Sequence, residues 1–144
     1  MNLPDWHIEL PDGTPGPDLT QYHGKNLLIL FYSMGCPGCL GRAIPFSLQL
    51  QKAYPDLQLV AIHTHFERPR HTPEEIGQAA LQLGVGYPVF LDKGLETASL
   101  YQAEGTPHWV LVGKEGELLK SIFGSMPNAL QRLDLSLMEL YQAS

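Results

Sequence analysis

An unbroken apolar run, Leu27-Leu28-Ile29-Leu30-Phe31-Tyr32, ends four residues before Cys36-Pro37-Gly38-Cys39. Its length is that of a strand, and apolar residues on both faces mean a strand covered on both sides. Parallel strands sandwiched between helices bury themselves this way. Pro37 suits the first turn of a helix, where its missing N–H leaves no bond unmade. The chain should therefore leave a central strand over Leu27–Ser33, turn, and enter a helix that carries both cysteines at its start.

The rest of the chain supports an alternating order. The stretch before Gly24 is rich in Pro, Gly and Asp and reads as loop, with a short strand at Trp6–Leu10. The cysteine helix should run to about Tyr54 and bend at Pro45. Strands follow at Leu57–His63 and Val89–Leu91, with helices at Pro73–Leu83, capped by Thr72, and at Leu95–Tyr101. His108–Val112 and Leu118–Phe123 flank the turn Gly113–Gly116 as a hairpin. The last helix, Asn128–Tyr141, should bury Leu130, Leu133, Leu137 and Leu140. The expected fold is α/β, with helices on both faces of a mixed sheet, and the final hairpin supplies the antiparallel strands.

A length of 144 residues suits one domain over residues 1–144. A net charge of −6 argues against a nucleic-acid partner, which requires a cationic face. The basic residues Arg68, Arg70 and His71 are followed at once by acids and read as a solvated loop. No apolar run approaches the roughly 18 residues of a membrane span. The N-terminus has no basic region followed by an apolar stretch, so the expected location is cytoplasmic, or extracytoplasmic where a leader has been removed. A monomer with no cofactor is expected.

The chain has two cysteines, too few for a disulfide scaffold. Their spacing fits disulfide exchange. One thiolate attacks a substrate disulfide, and a second thiol must then displace the product. Two intervening residues at a helix start bring both sulfurs within bonding distance. Cys36 would face solvent, where unpaired N–H groups and the helix dipole stabilise its thiolate. Cys39, about one turn in, would be more buried and stay protonated. Gly105-Thr106-Pro107-His108 adds a proline at the entrance to a strand, which fits an edge, a bulge or a cis bond. A cis Thr106–Pro107 bond would present the Thr106 backbone to an extended substrate by strand addition.

The chain resembles the thioredoxin-like redoxin family, closest to the TlpA-like thiol–disulfide oxidoreductases and their AhpC/TSA relatives. The likeness rests on Trp6-His7-Ile8-Glu9-Leu10-Pro11-Asp12-Gly13 and Gly24–Tyr32 leading into Cys36-Pro37-Gly38-Cys39. It continues through Tyr87-Pro88-Val89-Phe90-Leu91-Asp92, Gly105-Thr106-Pro107 and Val110–Glu117. It implies a thioredoxin-like three-layer α/β/α sandwich with an N-terminal extension and an insert holding the Pro73–Leu83 helix. It also implies Cys36 as attacking thiol, Cys39 as resolving thiol, cis-Pro107 beside them, and Thr106 as a contact for the substrate backbone. The implied partners are a protein or small-thiol disulfide and a thiol redox partner. Two departures stand out. Leu30 occupies the position where many thioredoxins bury an acid, which leaves the proton acceptor for Cys39 open between water and a histidine. Pro45 lies six residues after Cys39, where five is usual, so a local bulge is expected.

Other readings remain. Ser33, three residues before Cys36, fits a thiol peroxidase, although Ile29 stands where such enzymes usually have proline. His63 and His65 alternate along a strand end, share a face, and could join Cys36 and Cys39 in a zinc site; surface or half-buried histidines are the commoner outcome. His108 is expected to turn away from the sulfurs and bond locally. Tyr32 could line the substrate groove or belong to the core. Arg42 could bend back toward the cysteines, although a solvated arginine is the usual outcome.

Overall fold

The computed structural model describes residues 2–65 and 71–142. The basic stretch at Arg68 and Arg70 lies outside them. Six strands form one mixed sheet in the order β1-β4-β3-β2-β5-β6. They are β1 (Ile8–Glu9), β2 (Leu27–Tyr32), β3 (Gln58–His63), β4 (Val89–Asp92), β5 (His108–Val112) and β6 (Leu118–Phe123). β2 lies parallel to β3 and antiparallel to β5, and every residue of β2 is buried.

Alternation along β2 divides the core in two. Leu28, Leu30 and Tyr32 face a cluster that holds Cys39, Ile44, Leu50, Trp109, Leu133 and Leu137. Leu27, Ile29 and Phe31 face the other side, against Trp6, Leu19, Phe90, Ala98 and Tyr101. Helices α1 (Ile44–Ala53) and α4 (Pro127–Gln142) cover the first face. Helix α3 (Glu96–Leu100) and the N-terminal segment cover the second. This is the expected α/β/α sandwich. α4 buries Ala129, Leu133 and Leu137, with Leu130 and Leu140 packed alongside.

Helix α2 (Pro73–Gln82) begins with a reciprocal cap. The Thr72 hydroxyl accepts from Glu75 N–H at 3.1 Å, and the Glu75 carboxylate accepts from Thr72 N–H at 2.8 Å. Gly84, with φ of +76°, follows its end, where a left-handed residue stops a helix without strain.

The N-terminal segment departs from the loop expectation at one place and keeps its expected short strand at another. Leu19–Tyr22 forms a 3-10 turn. The Trp6–Leu10 strand shortens to Ile8–Glu9 and adds an antiparallel edge to β4, with Ile8 opposite Asp92. The chain pins this edge with side chains: Trp6 Nε1 donates to the Pro17 carbonyl at 2.6 Å, and Tyr101 Oη donates to the Pro4 carbonyl at 2.6 Å.

The cysteine helix, expected to bend at Pro45 and to carry a local bulge, is interrupted just before that proline. Cys39–Ala43 forms a π-helical turn, in which Ile44 N–H donates to the Cys39 carbonyl, and regular α-helix begins at Ile44. Pro45 explains the break. It has no N–H to donate, and its ring would crowd the carbonyl four residues back. A widened turn just before the proline moves that clash aside.

No described helix is long and apolar enough to cross a membrane.

Candidate active site

The site forms where β2 ends and the cysteine helix begins. Beyond Tyr32 the chain turns sharply. Cys36 N–H donates to the Ser33 carbonyl at 3.1 Å, and Met34 N–H donates to His63 Nε2 at 3.0 Å on the neighbouring strand. This turn leaves Cys36 half-buried and carries Cys39 into the core, where it is completely buried. Both are free thiols. Cys39 N–H, which donates to the Cys36 carbonyl at 3.0 Å, also reaches Cys36 Sγ at 3.2 Å, so a helix-start N–H is shared with the outer sulfur. The Cys36 thiol in turn donates to the Thr106 carbonyl at 3.4 Å.

Thr106 reaches the cysteines from the loop before β5, and the Thr106–Pro107 peptide is cis. Pro107 is buried, and its carbonyl accepts from Gly124 N–H at 2.8 Å. Trp109 Nε1 donates to the Gly124 carbonyl at 3.0 Å. The loop facing Cys36 is therefore tied on both sides of Gly124 to the end of β6 and to the core.

Burial pushes the Cys39 thiol far above its usual pKa, and the adjacent Cys36 sulfur adds to the effect. The Ser33 main chain and the Thr106 side chain act the other way. Cys39 is thus held protonated in the resting dithiol.

Tyr32 does not line a groove. It is 2% exposed, sits in the core with Cys39, and meets the His63 ring edge-on at 5.1 Å. The reason is the face it occupies: β2 directs Tyr32 under the cysteine helix, and its phenol pKa rises through burial. Its place is beneath the sulfurs.

His63 and His65 do share a face, with ring centroids 4.6 Å apart. They do not join the cysteines in a metal site; among the described residues no three His, Cys, Asp or Glu side chains are placed to hold an ion. His63 Nε2 already accepts from Met34, so Nδ1 carries the proton and finds no partner. Burial, then the charges of His65 and His71, push its pKa down to about 3. That makes His63 a poor acceptor for the Cys39 proton. It also makes stability depend on pH. Folded His63 stays neutral, while the unfolded chain takes up a proton below about 6.5. Unfolding therefore binds a proton between those values, and stability falls as pH drops, by up to about 1.4 kcal/mol per unit from this group. His63→Gln, whose amide can still accept from Met34, should show a shallower loss of melting temperature than the native chain between pH 7 and 4.5. Parallel curves would contradict this account of His63.

His108 turns away from the sulfurs, as expected. Its Nδ1 accepts from Glu104 N–H at 3.2 Å, which leaves Nε2–H to donate to Ser121 Oγ at 2.7 Å. Ser33 Oγ accepts from Gly35 N–H at 3.3 Å. Arg42 does bend back, against the usual outcome: its Nε donates to Ser125 Oγ at 3.1 Å. Ser125 had no signal in the sequence, because its place depends on β6 packing beside the cysteine turn.

No protein-family model matches the chain. Protein DipZ of Mycobacterium bovis is 32% identical over 116 residues, which cover 77% of this chain and 16% of that protein. Thiol-disulfide oxidoreductase ResA of Halalkalibacterium halodurans is 26% identical over 109 residues, 76% of this chain and 60% of that one. The chain thus spans about a sixth of the length of DipZ. Among solved structures, a thioredoxin-like superfamily protein superposes with a TM-score of 0.81 at 27% identity, covering 95% of both chains. A thiol:disulfide interchange protein DsbE of Chlorobium tepidum, so described provisionally, superposes at 0.80 with 21% identity, over 96% of this chain and 94% of that one. Sheet order, cysteine turn and these similarities agree: the chain has a thioredoxin-like fold and is similar to thioredoxin-like redoxins that include named thiol-disulfide oxidoreductases.

Proposed function

We propose that the chain is a dithiol–disulfide oxidoreductase, with Cys36 as the attacking thiol and Cys39 as the resolving thiol. The observation that carries this reading is the asymmetry of the pair. Cys36 is half-buried and accepts Cys39 N–H, while Cys39 is buried beneath it and strongly held as a thiol. The likeness to ResA, a named thiol-disulfide oxidoreductase, supports it.

The Cys36 thiolate attacks one sulfur of a substrate disulfide. The substrate S–S bond breaks, a Cys36–substrate disulfide forms, and the departing thiolate takes up a proton. Cys39 then gives up its proton to water and attacks Cys36 Sγ; the Cys36–substrate bond breaks, and the released substrate thiolate takes up a proton. Two electrons pass from the chain to the substrate, and the chain is left with a Cys36–Cys39 disulfide. The cycle closes when a partner dithiol reduces that bond, and it runs backward as oxidation. Thr106 pairs its backbone with an extended substrate segment, and Pro107 holds that backbone beside Cys36. Tyr32 fills the space under the helix start and keeps Cys39 dry.

A single-turnover reaction tests this. One equivalent of fully reduced chain mixed with a small protein disulfide should convert one disulfide to two thiols and lose both of its own alkylatable thiols. A substrate left intact would overturn the reading. Hydrogen peroxide in a parallel arm should oxidise Cys36 no faster than free cysteine. Rapid sulfenate formation at Cys36 would favour a thiol peroxidase instead.

A further inference from the structure

Gly38, between the two cysteines, lies tight against two polar side chains. A Cβ there would lie 2.8 Å from Ser125 Oγ and 2.9 Å from Arg42 Nη2. The Arg42 guanidinium thus lies against the cysteine turn and does not extend into solvent along the helix. Its anchor is firm. Ser125, which receives Arg42 Nε–H at 3.1 Å, is only 3% exposed. It follows Gly124, whose N–H and carbonyl bond Pro107 and Trp109. The cation is therefore fixed to the same loop system that faces Cys36.

Among the described residues, one edge of the guanidinium is used. Among the described residues the ion pairs are His7–Glu96 and Lys93–Glu9, and neither involves Arg42. Arg42 as a whole is exposed, and among the described residues its one hydrogen bond is through Nε. A guanidinium fork matches a carboxylate in shape and charge. The chain carries −6 overall, so any preference for an anion has to come from a local cation of this kind.

We propose that Arg42 is a specificity-determining residue that selects disulfides bearing a carboxylate beside the reacting sulfur. This rests on the oxidoreductase reading above. The carboxylate can belong to an acidic side chain of a polypeptide or to a small disulfide such as oxidised glutathione; the chemistry recognised is the same.

The test uses two matched peptide disulfides, with Glu or Gln next to the cysteine, and oxidised glutathione against its methyl ester. The native chain should favour the Glu peptide, the free glutathione acid, or both, by about three- to tenfold in kcat/KM at low salt. The ratio should shrink toward one near 1 M salt, where screening acts over about 3 Å. Arg42→Gln should bring it to about one, and Arg42→Lys should restore part of it. A preference confined to one probe pair identifies the source of the carboxylate. Equal rates on acidic and neutral probes, or a preference that survives Arg42→Gln, would overturn the proposal. So would a variant that loses activity on acidic and neutral probes alike with the ratio intact, because that marks a purely structural arginine. A native chain that reduces none of the probes defeats the oxidoreductase reading itself, and this inference with it.

Discussion

Cys36→Ser is expected to slow disulfide reduction on the order of a thousandfold or more, the scale on which loss of a nucleophile acts in enzymes. A serine hydroxyl does not ionise near neutral pH, so the N–H that Cys39 directs at position 36 would find no anion to stabilise. Cys39 cannot substitute, because it is completely buried and held protonated. Cys39→Ala should behave differently. The first attack proceeds, but nothing displaces the product, so a mixed disulfide between Cys36 and substrate accumulates. Mass spectrometry of each variant after reaction with a peptide disulfide separates the two roles. A stable adduct on Cys36→Ser, or full turnover by Cys39→Ala, would reverse or remove the assignment.

Trp109→Ala should cost about 3–5 kcal/mol of folding stability, typical for truncating a buried aromatic. Trp109 is fully buried and stands opposite Leu30 in the sheet. It meets the Phe46 ring edge-on at 6.1 Å, so the substitution opens a cavity between β5 and the cysteine helix. It also deletes the indole donor to the Gly124 carbonyl, leaving an acceptor short of its partner. Against a typical total of about 5–15 kcal/mol, such a loss takes much of the margin. The midpoint of urea unfolding measures it. Trp109→Phe, which retains most of the apolar contact, should lose markedly less. Because Gly124 also bonds Pro107, both variants should slow disulfide reduction under conditions where they remain folded.

The parts of the fold that were legible in the sequence are those set by local pattern. β2 declared itself by six apolar residues in a row, α4 by its leucine spacing, and the β5–β6 hairpin by the glycines that bound its turn. The cysteine turn was legible because a strand, a proline and the C-x-x-C spacing coincide there. What escaped depends on contacts between distant segments. The β1–β4 pairing joins Ile8 to Asp92 through a strand of two residues, too short to carry a period. Alternation alone placed Tyr32 on one face of β2 without saying that the cysteine helix would cover that face. The π turn was visible only as an odd spacing of Pro45. The Arg42–Ser125 bond spans 83 positions and joins two polar residues that are ordinary in isolation.

The most direct test of the central claim is a redox titration of the chain against glutathione, followed by alkylation and mass measurement. The geometry at Cys36 and Cys39 calls for both thiols to disappear together at one potential, as a single intramolecular bond that forms and breaks reversibly. Independent oxidation of the two cysteines, or thiols that stay alkylatable throughout, would contradict it.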